Sequence, residues 1–277
     1  MKKPASQKSL ASFKGPLLLV GAGKMGQAML DGWLARGLSP KKVMVIEPAP
    51  VKSIKALARR GAAINPKKPA PAGAIVIAVK PQTAPEAVPP LSAYLGKGTL
   101  VLSIMAGRTL GFLERSLGDA AVVRAMPNTP AAVGRGITVA AANAAVSARQ
   151  RKLATDLLSA IGEVEWVEDE ALLDAVTAVS GSGPAYVFLL AEAMTEAGIA
   201  AGLPPGLAER LARETVAGSG ELLHRSALDA ATLRKNVTSP GGTTAAALEV
   251  LMDRDGLAAL LTRAIAAATR RSRELAG

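Results

Sequence analysis

Residues 17–26 have the sequence LLLVGAGKMG, an apolar run that breaks into three glycines spaced G-x-G-x-x-G. The run predicts a buried strand, and the helical periodicity that follows it, closed by Gly37, predicts a first helix. In this arrangement Gly21 permits a tight turn, Gly23 lets a pyrophosphate approach the backbone, and Gly26 lets the helix pack closely on the strand. In a chain with 27 glycines such a spacing also fits a purely structural turn. The strand before it and the helix after it favour a dinucleotide-binding unit.

A second buried strand is predicted to end at Glu47, about twenty residues after the last loop glycine. An acidic residue at this place accepts hydrogen bonds from the hydroxyls of an adenosine ribose. A helix from about Val51 to Arg60, a short strand to Ile64 and a proline-rich loop from Asn65 to Pro71 follow. The spacing therefore extends the candidate nucleotide site from the glycines to Glu47.

Four more strands are predicted further along, at residues 74–81, 99–104, 120–125 and 137–140. Strands that alternate with helices of this length predict an α/β fold, a doubly wound parallel sheet of the Rossmann type. Ligands of such sheets bind at the carboxyl ends of the strands. Those ends are Gly21–Gly26, Glu47, Val79–Pro81, Ala106, Gly107 and Asn128.

The pattern changes near Trp166. From Glu170 onward no strand is predicted, and helices are separated by glycine, proline and serine. We therefore predict a disordered basic tail over residues 1–14, a dinucleotide-binding domain over residues 15–167 and an all-helical domain over residues 168–277. The helix from Pro184 to Ala200 is apolar on nearly all sides, so it must be covered by its own domain or by another subunit. The sequence leaves both possibilities open.

Composition excludes several classes of protein. The net charge of +11 invites a nucleic-acid hypothesis, but the basic residues are scattered and no aromatic residues are interleaved to stack bases. The absence of cysteine and the single histidine, His224, argue against disulfides and against thiolate or histidine-based metal sites. No uninterrupted apolar segment reaches the ~18 residues that span a bilayer. We expect a cytoplasmic, soluble protein that binds neither nucleic acid nor membrane and holds no metal.

Two small polar loops remain as candidates for chemistry, Ser180–Pro184 and Val237–Thr244. A Tyr–Lys pair at helical spacing is absent, and His224 offers no Ser-His-Asp arrangement. In the second loop two glycines lie beside four hydroxyl side chains, which together could hold a carboxylate through neutral donors. Thr243 and Thr244 would equally serve as a simple helix N-cap. On the residues alone the two interpretations are balanced.

The motifs together resemble the pyrroline-5-carboxylate reductase family. Residues 237–244, VTSPGGTT, followed by Ala246, Ala247 and Leu248, look like that family's signature. The resemblance also covers the glycine loop and the segments 78–81 (AVKP), 124–130 (RAMPNTP), 174–177 (DAVT) and 180–186 (SGSGPAY). It therefore spans nearly the whole chain, from about Leu17 to Leu251.

The resemblance implies that a hydride from NADPH or NADH adds to the C=N carbon of 1-pyrroline-5-carboxylate and gives L-proline. It implies that Thr244 binds the ring nitrogen as the catalytic group, and that Glu170 is the family's acidic residue near the substrate. The remaining implied substrate residues are Val237, Ser239, Gly241, Gly242 and Thr243. The implied cofactor residues are Gly21, Gly23, Lys24, Met25, Gly26, Glu47, Asn65, Ala78, Val79, Lys80, Pro81, Ala106, Gly107 and Asn128. It also implies a helical dimerisation domain, hence a homodimer at least and assemblies up to a decamer.

Cofactor choice is a separate expectation. Members of this family often use NADPH, commonly with small hydroxyl or basic groups after the second strand, where this chain has Glu47. A carboxylate there would repel a 2′-phosphate, although Lys52 and Lys55 could offset the repulsion. We therefore expect NADH to be used at least as well as NADPH.

Two other functions are compatible with parts of the sequence. A β-hydroxyacid dehydrogenase or related imine reductase would share the two-domain plan, but its usual catalytic lysine is missing from Pro184–Ala200. A non-catalytic NAD(P)-binding regulatory protein would keep the glycine loop and would have no need of the hydroxyl-rich loop.

Overall fold

A computed structural model describes residues 9–276. The described chain divides into two compact units. The sheet unit comprises residues 9–181 and the end of the last helix, residues 268–276. The helical unit comprises residues 182–267. The division differs from the predicted boundary after residue 167, because residues 168–181 and 268–276 belong to the sheet unit.

The sheet unit contains one eight-stranded sheet with the strand order β3-β2-β1-β4-β5-β6-β7-β8. Strands β1 to β6 are parallel, β7 is antiparallel to β6, and β8 is parallel to β7. Their bounds are β1 Leu17–Val20, β2 Val43–Ile46, β3 Ala63–Ile64, β4 Ala74–Ile77, β5 Leu100–Ser103, β6 Ala121–Met126, β7 Gly136–Ala142 and β8 Gly162–Trp166.

Helices cover both faces of this sheet because successive residues of its central strands point to opposite sides and both sets are apolar. Leu17 and Leu19 pack in one cluster with Trp33, whereas Leu18 packs in the other with Leu113. This confirms the predicted doubly wound sheet. The helices are α1 Lys24–Ala35, α2 Lys52–Ala58, α3 Ala84–Ala87, α4 Leu110–Leu117, α5 Ala148–Leu158 and α6 Leu172–Val176, the last continued by a π-helical turn, Thr177–Gly181.

The far edge of the sheet differs from the prediction. β7 runs antiparallel because its connection to β6, residues 127–135, is shorter than the dozen or so residues of a parallel crossover. β8 was not predicted at all. It is a partly exposed strand in which Glu163 and Glu165 are exposed while Val164 and Trp166 are half-buried, and an alternation of this kind is typical of such strands.

The segment Ser9–Lys14 was predicted to be part of a disordered tail, and for these residues the prediction is wrong. Leu10 and Phe13 are only 4% and 6% exposed and belong to the core cluster around Trp33. The Leu10 amide donates to the Arg36 carbonyl at 2.8 Å. Two apolar residues three positions apart are enough to anchor the segment despite its polar composition. Residues 1–8 lie outside the described part of the chain.

The helical unit consists of α7 Gly183–Ala200, α8 Pro205–Arg225, α9 Ala230–Asn236, α10 Thr243–Leu251 and the first half of α11 Leu257–Ala276. The N-cap of α7 is Ser182, and Pro184 lies in the first turn. Within residues 182–267 the buried hydrophobic side chains are Ala208 and Ala212. A helical unit with so little core of its own leaves most of its apolar surface exposed.

The most apolar of these helices is α7, on which Phe188 and Leu189 are 63% and 62% exposed. Among the described residues, the helical stretch Leu172–Ala200 is long and apolar enough to cross a membrane by length and composition alone. Three acidic residues, Asp174, Glu192 and Glu196, interrupt it. The exposed face of α7 therefore needs a covering surface.

Candidate functional site

The predicted phosphate loop lies at the carboxyl end of β1, between that strand and α1. Gly21 has φ +90°, and a Cβ on it would lie 2.7 Å from the Ala78 carbonyl oxygen. A Cβ on Gly26 would collide with the Gly21 carbonyl oxygen. These two glycines therefore make the tight turn and the close helix approach that the sequence predicts.

Gly23 is different, because neither its conformation nor its packing requires glycine. It is the N-cap of α1 with φ −68° and ψ −170°, which any residue adopts, and an added Cβ would meet no protein atom within 4 Å. The space in front of it borders the start of α1, where Lys24 is exposed and Met25 is half-buried. That first turn contains no acidic residue and no side-chain cap, so its N–H groups and its positive dipole end suit a phosphate.

Glu47 lies directly after β2, and its carboxylate contacts the glycine loop. Its Oε2 accepts from the Ala22 amide at 2.8 Å, and its Oε1 accepts from the Ala49 amide at 3.1 Å. Asn65 holds the same residue from the other side, because its Oδ1 accepts from the Glu47 amide and its Nδ2 donates to the Glu47 carbonyl, both at 2.9 Å. Asn65 has φ +49°. The structure thus brings Glu47, Asn65 and the phosphate loop together.

The other predicted cofactor positions follow the neighbouring strands. Residues 78–81 continue β4, and the Pro81 carbonyl accepts from Arg108 Nε at 2.9 Å. Ala106 and Gly107 follow β5, and Gly107 has φ +67°. Asn128 follows β6, where its Oδ1 accepts from the Ile137 amide at 3.0 Å. All fourteen predicted positions therefore lie in the sheet unit, and most of them at the carboxyl ends of its parallel strands.

Glu170 lies in the connection between β8 and α6. Its Oε1 accepts two hydrogen bonds at 2.8 Å, from the Leu110 amide at the start of α4 and from Arg124 Nη1. The Glu170 side chain is 26% exposed, whereas that of Arg124 is 3% exposed. The sequence interpretation has Glu170 open the helical domain, but the structure places it in the sheet unit, joined to β6 and α4.

Arg124 is a residue to which the sequence analysis gave no role. Its Nε and Nη2 are buried without a hydrogen-bond partner in the described structure. A signal was available, because an arginine in the middle of the apolar strand at residues 120–125 needs a buried counter-charge.

Within the sheet unit, the end of α11 makes contacts that the sequence did not reveal. Ser272 Oγ donates to Asp174 Oδ1 at 2.7 Å, and the Ser272 side chain is 6% exposed. A Cβ on Gly107 would lie 2.9 Å from the Leu275 carbonyl oxygen. Gly107 is therefore required both by its positive φ and by this close approach.

The predicted substrate loop, residues 237–244, joins α9 to α10 in the helical unit. Gly241 has φ +69°, and the Gly242 amide donates to the Ser239 carbonyl at 3.1 Å. The N-cap of α10 is Gly242, with no side-chain cap, and Thr243 and Thr244 are the first two residues of the helix. The interpretation in which these threonines serve as the N-cap is therefore wrong.

Three of the four hydroxyls of this loop are available to a ligand. Thr238 Oγ1 donates to the Arg234 carbonyl at 2.7 Å, whereas Ser239, Thr243 and Thr244 make no side-chain hydrogen bond within residues 9–276. The Thr244 side chain is half-buried. Together with the free N–H groups of the first turn of α10, they form a cluster of neutral donors that could hold a carboxylate. Within the described residues no group of three or more His, Cys, Asp or Glu side chains could hold a metal ion.

Comparisons with known proteins identify the relatives of this chain. Residues 170–275 match the family model for pyrroline-5-carboxylate reductase dimerisation, and residues 17–107 match the model described as NADP oxidoreductase, coenzyme F420-dependent. The chain is 40% identical to pyrroline-5-carboxylate reductase of Pseudomonas aeruginosa, with 94% of this chain and 96% of that protein covered.

Solved structures give the same result. A pyrroline-5-carboxylate reductase from Coxiella burnetii is 34% identical with a TM-score of 0.87, over 95% of this chain and 99% of that chain. A pyrroline carboxylate reductase from Plasmodium falciparum, solved with NADP bound, is 28% identical with a TM-score of 0.79, over 95% of this chain and 99% of that chain. From its two units, its glycine loop, its hydroxyl-rich loop and these relatives, we conclude that the chain belongs to the pyrroline-5-carboxylate reductase family.

Proposed function

We propose that this protein reduces the C=N bond of 1-pyrroline-5-carboxylate and releases L-proline. A reduced nicotinamide dinucleotide, when bound, supplies the hydride that adds to the C=N carbon, while the ring nitrogen of the protonated imine becomes the amine. Because that nitrogen carries its proton already, the protein needs no strong acid and acts mainly by positioning two ligands.

The observation that carries this proposal is the start of α10. Its N-cap is a glycine, so the hydroxyls of Thr243 and Thr244 have no role in capping the helix. We propose that the Thr244 hydroxyl binds the ring nitrogen, and that the donors of Ser239, Gly241, Gly242 and Thr243 bind the substrate carboxylate, with Val237 beside them. Glu170 remains a proposed substrate residue, and its contact with Arg124 and Leu110 supports a fixed orientation for its carboxylate.

The dinucleotide is proposed to bind along the carboxyl ends of β1, β2, β4, β5 and β6. The open space in front of Gly23 and the uncapped start of α1 support the place of the pyrophosphate. Glu47 supports a preference for NADH, because its carboxylate is fixed by the Ala22 and Ala49 amides and would face an added 2′-phosphate. We propose that NADH is used at least as well as NADPH.

We also propose that the protein works as a homodimer at least, in the cytoplasm. The support is the exposed apolar face of α7 together with the dimerisation model that covers it. A second copy would cover side chains such as Phe188 and Leu189 and supply the core that the helical unit lacks. Larger assemblies up to a decamer are consistent with this arrangement.

One assay separates this function from its alternatives. Oxidation of NADH or NADPH is followed with pyrroline-5-carboxylate, and reduction of NAD or NADP is followed with a 3-hydroxyacid. We expect turnover only in the first reaction, with proline as the product. Turnover with the hydroxyacid would instead identify a β-hydroxyacid dehydrogenase, and binding of the dinucleotide without turnover would identify a regulatory protein.

A further inference from the structure

Arg124 is the only charged residue that is almost completely buried within residues 9–275. It occupies the middle of β6, where the remaining residues are alanine, valine and methionine and all are buried. Among the described residues its only hydrogen-bond partner is Glu170 Oε1, which binds Nη1, whereas Nε and Nη2 have no partner. A buried guanidinium with so few hydrogen bonds is not explained by a contribution to folding.

A gain in stability does not explain why this ion pair is present. A buried ion pair is often no more stabilising than two apolar side chains of similar volume, because desolvation of both charges opposes their attraction. Here two buried donors are unpaired in addition, which lowers the net contribution further. An apolar side chain at this position would suit the strand better.

The contacts of Glu170 indicate what the pair does. The oxygen that binds Arg124 also accepts from the amide of Leu110, the first residue of α4. The turn just before Leu110 contains Ala106 and Gly107, and Arg108 in the same turn donates to the Pro81 carbonyl. Arg124, through Glu170, therefore fixes a backbone segment that connects two of the proposed cofactor-binding loops.

We propose that Arg124 is a positioning residue for the nicotinamide dinucleotide. It orients the Glu170 carboxylate, which in turn fixes the start of α4 and the turn from Ala106 to Thr109 in the geometry that the dinucleotide binds. This inference rests on the proposed function only in requiring a dinucleotide site. It requires nothing about the imine substrate.

The test compares single and paired variants in the full-length protein. Arg124→Met leaves a buried carboxylate without its partner and can reduce folding, whereas the double variant R124M/E170L replaces the pair by apolar groups and should fold. E170Q keeps an amide oxygen that can accept both hydrogen bonds. Arg151→Gln is the matched control, because it removes an arginine from a partly exposed ion pair with Glu168 in the same unit.

The readouts are the melting temperature, the Kd of NADH measured by fluorescence without substrate, and kcat and KM for the cofactor. We expect the double variant to melt close to the wild type but to bind NADH about tenfold more weakly, as small misplacements of binding groups commonly do. The KM for NADH should rise by a similar factor. R151Q should leave the Kd unchanged, and E170Q should bind NADH nearly as well as the wild type.

A folded double variant with the wild-type Kd for NADH would overturn the proposal. So would an E170Q variant that binds as weakly as the double variant, because the carboxylate charge rather than the hydrogen bonds would then be responsible. A wild-type protein that binds NADH but does not reduce pyrroline-5-carboxylate would contradict the proposed function and leave this inference intact.

Discussion

Replacement of Thr244 by valine tests the proposed binding of the ring nitrogen. Valine has nearly the same shape and removes only the hydroxyl, which makes no hydrogen bond within the described chain. Since the N-cap of α10 is Gly242, the free energy of unfolding should change by less than about 0.5 kcal/mol. The variant thus separates catalysis from folding.

The kinetic effect should be much larger than the effect on stability. Hydride addition gives the ring nitrogen a lone pair, to which the Thr244 hydroxyl can donate a hydrogen bond that the iminium nitrogen cannot accept. This bond forms on the way to the transition state, so its loss should lower both kcat and kcat/KM. One such bond contributes about 1–3 kcal/mol, which corresponds to a loss of roughly ten- to a hundredfold. The Kd of NADH should hardly change, because the proposed dinucleotide residues belong to the sheet unit.

The assay is steady-state kinetics on Thr244→Val and Thr244→Ser, with a melting curve for each. The serine variant keeps a hydroxyl and should retain most of the activity. Thr262→Val, which removes a hydroxyl bonded to the Ala258 carbonyl on α11, is the matched control and should retain normal kinetics. Normal turnover by a folded Thr244→Val variant would refute the assignment.

Three further predictions concern the cofactor, the dimer and pH. Glu47→Ser should shift the ratio of kcat/KM values towards NADPH, and a strong NADPH preference in the wild type that this change leaves unaltered would contradict the role of Glu47. Glutamate at both Phe188 and Leu189 should dissociate or unfold the protein, as seen by light scattering, whereas a wild-type protein that is an active monomer at micromolar concentration would exclude an obligate dimer. The amide of Thr232 binds the Asp229 carboxylate and lowers the pKa of that carboxyl below its usual value. The stability from this N-cap of α9 should therefore be present at neutral pH and be lost as the pH falls through the lowered pKa. Asp229→Ala should melt below the wild type at neutral pH and not in acid, and equal melting temperatures at neutral pH would count against the cap.

The sequence predicted the fold well where local pattern and packing agree. The edge of the sheet that is proposed to bind the dinucleotide was predicted from the glycines at residues 21–26 and the apolar strands at residues 17–20 and 74–77. Glycine spacing depends directly on backbone geometry, and strand hydrophobicity depends directly on burial. The direction of β7 was missed although the short connection after Met126 excludes a parallel crossover. The strand β8 was missed although residues 163–166 alternate between glutamate and apolar side chains, because the pattern is short and glutamate is uncommon in strands.

The candidate site was predictable in its loops and not in its long-range contacts. Residues 237–244 were recognisable by composition and by resemblance. The position of the N-cap at Gly242 was not predictable, because it depends on the backbone angles of the loop, and the sequence is compatible both with a ligand-binding loop and with an N-cap formed by the threonines. The contact between Arg124 and Glu170 joins residues far apart in the chain, and so does that between Gly107 and Leu275. No periodicity or spacing encodes such contacts, and only the folded backbone brings these residues together.

The most direct test of the proposed reaction is the fate of the transferred hydride. The purified protein would be incubated with pyrroline-5-carboxylate and NADH carrying two deuterium atoms on its hydride-donating carbon, and the product analysed by mass spectrometry. The proposed reaction predicts proline with one deuterium on the former C=N carbon, formed in equal amount to the NADH oxidised. Oxidation of the cofactor without deuterium in proline, or no oxidation at all, would contradict it.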